Sequence, residues 1–152
     1  MLISNELRTI MKNSYILDFK EALKNEHLKF TTQRYAIFKF LISNNGHYDC
    51  DTIIDRLKSN EVKVSKATAY RTLDLLVKYN FARKMVLDDG IARYENKIDS
   101  PHHDHMICID SGKIIEFHSS KIEEIQENIA KKYGYKIVKH VHQLFVKKID
   151  GE

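Results

Sequence analysis

The segment Val64-Ser-Lys-Ala-Thr-Ala-Tyr-Arg-Thr-Leu-Asp-Leu-Leu76 decides the fold. Ser65 is an N-cap residue, and the spacing predicts a helix from Lys66 to Tyr79 with Leu73, Leu76 and Val77 inward. Lys66, Tyr70 and Asp74 repeat at i+4 on the opposite face. Arg71 adds a planar donor fork that suits guanine or phosphate. Tyr70 offers apolar contact to a thymine methyl. The capped end favours phosphates through its free N–H groups and the helix dipole. These are the properties of a helix that reads a DNA groove.

Upstream, the periodicity predicts three more helices. Tyr15 to His27 carries Ile16, Phe19, Ala22 and Leu23 on one face. Thr31 or Thr32 caps Gln33 to Ser43, with Ala36, Ile37, Phe40 and Leu41 as its stripe, and Asn44-Asn45-Gly46 stops it. Cys50 to Ser59 buries Ile53, Ile54 and Leu57. Lys29 and Arg34, near the start of the second helix, are candidate DNA-backbone contacts.

Downstream, the period changes. Phe81–Val86 and Ile91–Glu95 flank Asp88-Asp89-Gly90, a hairpin turn signal. Helices followed by a two-stranded hairpin describe a winged helix-turn-helix over residues 1–96, with 1–15 as an N-terminal extension. Residues 97–104 read as a hinge and 105–152 as a small α/β domain, giving an α+β chain. In that second part, strands His105–Ile109 and Lys113–Phe117 turn at Asp110-Ser111-Gly112. A helix from Ser119 to Tyr133 carries Ile122, Ile125, Ile129 and Ala130, and Gly134 ends it. The last strand spans roughly Tyr135–Val146. About 50 residues make a marginal core alone, so this unit is expected to pair with a second copy as a homodimer, the alternative being that it packs on the first domain.

Charge agrees with this division. Residues 1–97 hold 17 Lys/Arg and 12 Asp/Glu, whereas residues 98–152 hold 8 and 9. The basic part implies a polyanion such as double-stranded DNA. No apolar run approaches a transmembrane length and the N-terminus does not read as a signal peptide, so the expected setting is the cytoplasm with no membrane partner. Two cysteines, Cys50 and Cys108, exclude a disulfide framework and a four-thiolate zinc site within one chain.

Three of eight histidines fall at His102-His103-Asp104-His105, directly after the only proline, Pro101. In a strand, His103 and His105 share one face while His102 and Asp104 share the other, so one tract feeds two metal sites. Three more residues belong to the argument: Glu95 at the end of the hairpin, Glu116 on the neighbouring strand and His47 in the loop before the third helix. Imidazoles with carboxylates suit Fe(II), Mn(II), Co(II) or Zn(II) rather than an all-thiolate site.

In this order, the helix VSKATAYRTLDLL, the hairpin ending in RYE, HHDHMIC, SGKIIEF, the helix IEEIQENIAKKYGY and a following His140 resemble the ferric uptake regulator family over residues 17–146. The resemblance implies a homodimeric, metal-dependent DNA-binding regulator with a winged-helix domain and a C-terminal dimerisation domain. Carried over by residue, the regulatory metal site is His47, Glu95, His103, His105 and Glu116. The second site, inside the dimerisation domain, is His102, Asp104, Glu123 and His140. Tyr70 and Arg71 match DNA-contacting positions, and Lys29 matches one that reaches the minor groove. The implied function is an Fe(II)-dependent repressor of metal-homeostasis genes on an A/T-rich palindromic operator, with Zn(II) or Mn(II) able to occupy the same sites.

There are departures from the family pattern. Its usual Cys-x-x-Cys is here Cys108-Ile-Asp-Ser111, and the tail FVKKIDGE has no cysteine, so no four-cysteine structural zinc is expected. Glu95 to His103 is one residue longer, around Asp99-Ser100-Pro101. Cys50 reads as a small buried hydrophobe. His142 shares a strand face with His140 and reads either as an assistant to the second site or as polar surface. Peroxide-sensing members resemble one another in having Asp at both regulatory carboxylate positions, and here both are Glu. That favours iron over peroxide sensing, with zinc sensing as an alternative. A non-haem metalloenzyme is the reading from a different class, but no substrate-pocket signature, phosphate loop or nucleophile set accompanies the histidines. A DNA-binding module indifferent to metal would require the histidine tract to be incidental.

Overall fold

The computed structural model describes residues 2–98 and 100–149, with residues 2–13 described as backbone. The chain forms two compact units divided between Ser100 and Pro101. Asp99, part of the lengthened stretch, lies outside the described residues.

The first unit contains α1 (Leu2–Asn25), α2 (Thr32–Ser43), β1 (Tyr48–Asp49), α3 (Cys50–Ser59), α4 (Lys66–Lys78), β2 (Ala82–Val86) and β3 (Ala92–Asn96). Thr31, Asp49 and Ser65 cap α2, α3 and α4, each side chain accepting the N–H three residues on. Three helices end alike. His27, Glu61 and Asn80 take the left-handed conformation after α1, α3 and α4. The next N–H then donates back five residues: Leu28 to Leu23, Val62 to Leu57 and Phe81 to Leu76. Glycine is the usual residue at such a position, which explains why sequence inspection found no stop signal there. In each case the residue that follows is apolar: Phe81 joins the core, and Leu28 and Val62 pack against it.

The core of this unit is aromatic. Phe19 of α1 stacks on Phe38 of α2 at 4.4 Å between centroids, and Phe81 meets Phe38 edge-on at 5.5 Å. The buried set on α2 is Ile37, Phe38 and Leu41. The expected stripe included Ala36 and Phe40 instead of Phe38, and both are only partly buried. Phe38 lies buried between Phe19 of α1 and Phe81, which follows α4.

The hairpin is the antiparallel pair β2–β3, and β1 adds a short third strand on the far side of β3. β1 has only two residues, below what an alternation pattern reveals.

The second unit contains β4 (Asp104–Cys108), β5 (Ile114–Phe117), α5 (Ser120–Lys132) and β6 (Gln143–Val146). β4 is central, antiparallel to β5 and parallel to β6. The last strand is shorter than expected. Residues 135–142 run outside the sheet, so His140 and His142 do not lie on a strand. Gly134, with φ 80°, ends α5 through the Tyr135 N–H to Ala130 C=O bond of 2.9 Å. No residue of α5 is fully buried within the chain, and Ile125 and Ile129 are more than half exposed.

Candidate metal centre and nucleic-acid interface

The first unit brings His47, Glu95 and Arg83 into one row across its sheet. β1 pairs with β3 so that Tyr48 faces Tyr94, and the residue preceding β1 therefore comes alongside Glu95. His47 Nε2 lies 3.1 Å from Glu95 Oε2, with both side chains more than 90% buried. On the other side of β3, Arg83 is the direct cross-strand partner of Glu95. Its Nη1 is 3.5 Å from Glu95 Oε1. The same guanidinium donates to the Ser100 carbonyl at 3.3 Å and reaches the Ser100 hydroxyl at 3.5 Å. Sequence reasoning missed Arg83. Its only signal was hairpin register, which places residues 83 and 95 opposite each other.

The second unit brings together His103, His105 and Glu116. His105 and Glu116 are cross-strand partners on β4 and β5. His103 Nε2 is 3.7 Å from Glu116 Oε1, and the two imidazole rings lie 4.9 Å apart. His103 Nδ1 is 3.0 Å from the Pro101 carbonyl, a contact that directs Nε2 towards the carboxylate when Nδ1 carries the proton.

The opposite side of the same tract forms a separate cluster inside this unit. One ligand atom from each of His102, Asp104, Glu123 and His140 lies within 4.8 Å of the others. His102 Nε2 is 3.2 Å from Glu123 Oε1 and 3.5 Å from Asp104 Oδ1. His140 Nε2 is 3.3 Å from Asp104 Oδ1 and 3.6 Å from Glu123 Oε1. Asp104 is 2% exposed, yet its Oδ2 has no hydrogen bond, and neither has the buried Glu123 Oε1. A buried carboxylate oxygen left unpaired is costly unless a cation satisfies it. Donor chemistry and orphaned oxygens therefore both fit a divalent transition ion.

On the DNA-facing candidates, α4 exposes Lys66, Tyr70 and Arg71 while burying Ala69, Thr72, Leu73, Leu75 and Leu76. Lys66 Nζ is 2.9 Å from Asp51, which tethers the start of α4 to the first turn of α3. Lys29 is exposed, and its carbonyl accepts from Arg34 Nη1 at 2.8 Å. Arg34 therefore shapes the turn before α2 as well as presenting charge. Cys50 is 2% exposed among the core residues, and burial pushes its thiol up to about 11. It faces no ligand role.

Among the described residues, no helix is long and apolar enough to cross a membrane. A model of the ferric uptake regulator family matches residues 25–145. The ferric uptake regulation protein of Campylobacter jejuni is 39% identical over 129 residues, covering 84% of this chain and 82% of that protein. The structure of the Helicobacter pylori ferric uptake regulator, described as having three functional metal-binding sites, superposes with a TM-score of 0.81. It is 31% identical and 90% of each chain is covered. The ferric uptake regulator of Francisella tularensis with iron gives a TM-score of 0.72 at 30% identity, covering 80% of this chain and 92% of that one. The chain belongs to the ferric uptake regulator family, and it is a metal-responsive regulator rather than an enzyme.

Proposed function

We propose that this chain is an Fe(II)-dependent transcriptional repressor of metal-homeostasis genes, acting in the cytoplasm as a homodimer on a palindromic, A/T-rich operator. The observation that carries the reading is the division of the donor set. His47 and Glu95 stand together in the first unit. His103, His105 and Glu116 stand together in the second. When bound, a divalent ion shared by these five residues supplies a cross-link between the halves. His47 and Glu95 then report to the unit that carries α4, and the three others report to the unit proposed to form the dimer. Joining the halves fixes the spacing of two α4 helices on a two-fold operator. Tyr70 reads the groove, Lys66 and Arg71 contact the DNA beside it from α4, and Lys29 and Arg34 contact the DNA backbone. His102, Asp104, Glu123 and His140 hold a second ion within the dimerisation domain.

Several features support the details. Ile115, Ile125, Ile129, Tyr133, Leu144 and Phe145 are all exposed in the single chain, an apolar surface that a second copy would cover. Both regulatory carboxylates are Glu, as Fe(II)-responsive members would have in contrast to peroxide sensors. The Francisella tularensis relative is described with iron. Zn(II) or Mn(II) fits the same mixed N/O donors, and availability decides occupancy.

The test is DNA affinity for a palindromic A/T-rich duplex with and without Mn(II), an air-stable stand-in for Fe(II), and after chelation. Metal-dependent binding supports the reading. Equal binding without metal leaves a DNA-binding module indifferent to it, and catalytic turnover without duplex preference leaves the enzyme reading.

A further inference from the structure

We propose that the groove between α1 and the turn after α4 is a binding site for a short linear alkyl diamine. The groove lies within the first unit and has a volume of about 540 Å³, the size of a small-ligand pocket. None of the residues lining it belongs to either metal cluster. Its lining divides by chemistry. Tyr15, Tyr79, Phe81 and Ile98 supply aromatic and aliphatic surface, and Asp18 and Glu21 supply two carboxylates. Among the described residues no Lys or Arg lines it, although residues 1–97 hold 17 Lys/Arg against 12 Asp/Glu.

This arrangement selects the ligand. Asp18 and Glu21 stand three residues apart on α1, so they emerge on one face with Cβ atoms about 5–6 Å apart. Both are exposed, and among the described residues neither makes an ion pair. Glu26, Asp51 and Asp89, by contrast, each pair with a Lys or Arg of the same unit. Lys78 stands 5.9 Å over the Tyr79 ring, but its charge is taken up by Glu26 at 2.6 Å. The same Glu26 oxygen accepts from the Tyr79 hydroxyl at 2.9 Å, which fixes that ring as a wall of the groove. Asn25, the last residue of α1, and Tyr79, the C-cap of α4, both border the groove, so the carbonyl ends of two helices add partial negative charge. Carboxylates, helix ends and aromatic faces all attract ammonium groups, and the apolar lining covers the methylene chain between them. A hydrated inorganic cation would leave that apolar lining in water. A diamine bound here bridges α1 to the end of α4, the helix that carries Tyr70 and Arg71.

The test is calorimetric titration of the full-length chain with putrescine near neutral pH, where both amines are protonated, with butylamine and Mg(II) as comparators. Putrescine is expected to bind one-to-one and about 10-fold or more tightly than butylamine, because its second ammonium binds intramolecularly. It is also expected to exceed Mg(II) and to raise the midpoint of thermal unfolding. Asp18→Asn combined with Glu21→Gln, on an exposed helix face, is expected to weaken putrescine binding about 10-fold or more. In the proton NMR spectrum, putrescine is expected to shift the Tyr15 and Tyr79 ring resonances and to leave those of Tyr133 and Tyr135 in place. If putrescine, butylamine and Mg(II) bind alike, the carboxylates only screen charge and the proposal is overturned. If the double variant binds putrescine unchanged, or the shifts miss Tyr15 and Tyr79, the ligand sits elsewhere and the assignment is overturned. A lysine-rich peptide that binds where putrescine does not would make the groove a protein-docking face, and this too overturns the diamine site.

Discussion

His47 Nε2 lies 3.1 Å from Glu95 Oε2, although 47 positions separate them in the chain. The two-residue strand that follows His47 causes this, because its pairing with β3 carries His47 to the flank of Glu95. The part of the proposed metal site that belongs to the first unit is thus set by strand register.

From that relationship, His47→Ala is expected to lower metal-dependent operator affinity at least 10-fold. The dimer should persist, because His47 packs within the first unit. Binding isotherms with Mn(II), together with sedimentation, check both halves. Repression equal to the unsubstituted chain contradicts the regulatory role of His47.

Arg83 holds Glu95 from the other side and grips Ser100 at the end of the first unit. Partners that orient a ligand carboxylate are worth about 10–100-fold in metal affinity. Arg83→Ala is therefore expected to weaken metal binding at the regulatory site within that range, read by competition with a chromophoric chelator. Arg83→Lys, which keeps the charge and loses the fork, is expected to recover only part of it. Unchanged affinity in both variants shows that the contact does not position Glu95.

Arg71 and Tyr70 are exposed on α4 and separate two kinds of contact. Arg71→Ala is expected to weaken all duplexes alike and reduce the salt slope of binding by about 1. Tyr70→Ala is expected to relax preference at one operator position by about 1–3 kcal/mol. Salt titrations and single-base operator variants distinguish these outcomes.

Both thiols are buried, Cys50 2% and Cys108 6% exposed, but their polar surroundings differ. Burial pushes Cys50 up to about 11, whereas hydrogen bonds from Ser111 hold Cys108 below the ordinary thiol range. At pH 8 the folded chain is expected to be alkylated at Cys108 before Cys50, and the denatured chain equally at both, as mass spectrometry would show. The raised pKa of Cys50 means folding favours its protonated form. That contribution is intact below the ordinary value near 9 and declines as pH rises towards 11. Cys50→Ala should therefore flatten the fall in stability between pH 9 and 11 in chemical denaturation.

Much of this was legible in the residues. The α4 cap and stripe and the Asp88-Asp89-Gly90 turn each use a local period or a specific turn chemistry, whereas β4 begins at Asp104, so His102 and His103 precede the strand whose alternation was expected to sort them. What escaped was set by contacts distant in sequence. β1 exists because β3 offers it an edge, not because Tyr48-Asp49 has strand character. Phe38 is fully buried because Phe19 and Phe81 form its socket, while Ala36 and Phe40 pack against the core from its edge. Phe38→Ala is accordingly expected to cost about 3–5 kcal/mol of unfolding free energy in denaturant titration. Residues 135–142 read as strand from composition, yet only Gln143–Val146 reach β4. Glu123 and His140 were named through family resemblance, since α5 and the segment after Gly134 meet Asp104 only in the folded unit.

The role proposed for the His47, Glu95, His103, His105 and Glu116 set is to license DNA binding when it holds a metal ion. The most direct test is a titration of the apo chain with Mn(II) against a fluorescent A/T-rich palindromic duplex, reversed by chelator. Affinity is expected to rise by 10-fold or more with metal and to return to baseline on chelation. Equal affinity for the duplex in the presence and absence of metal would contradict it.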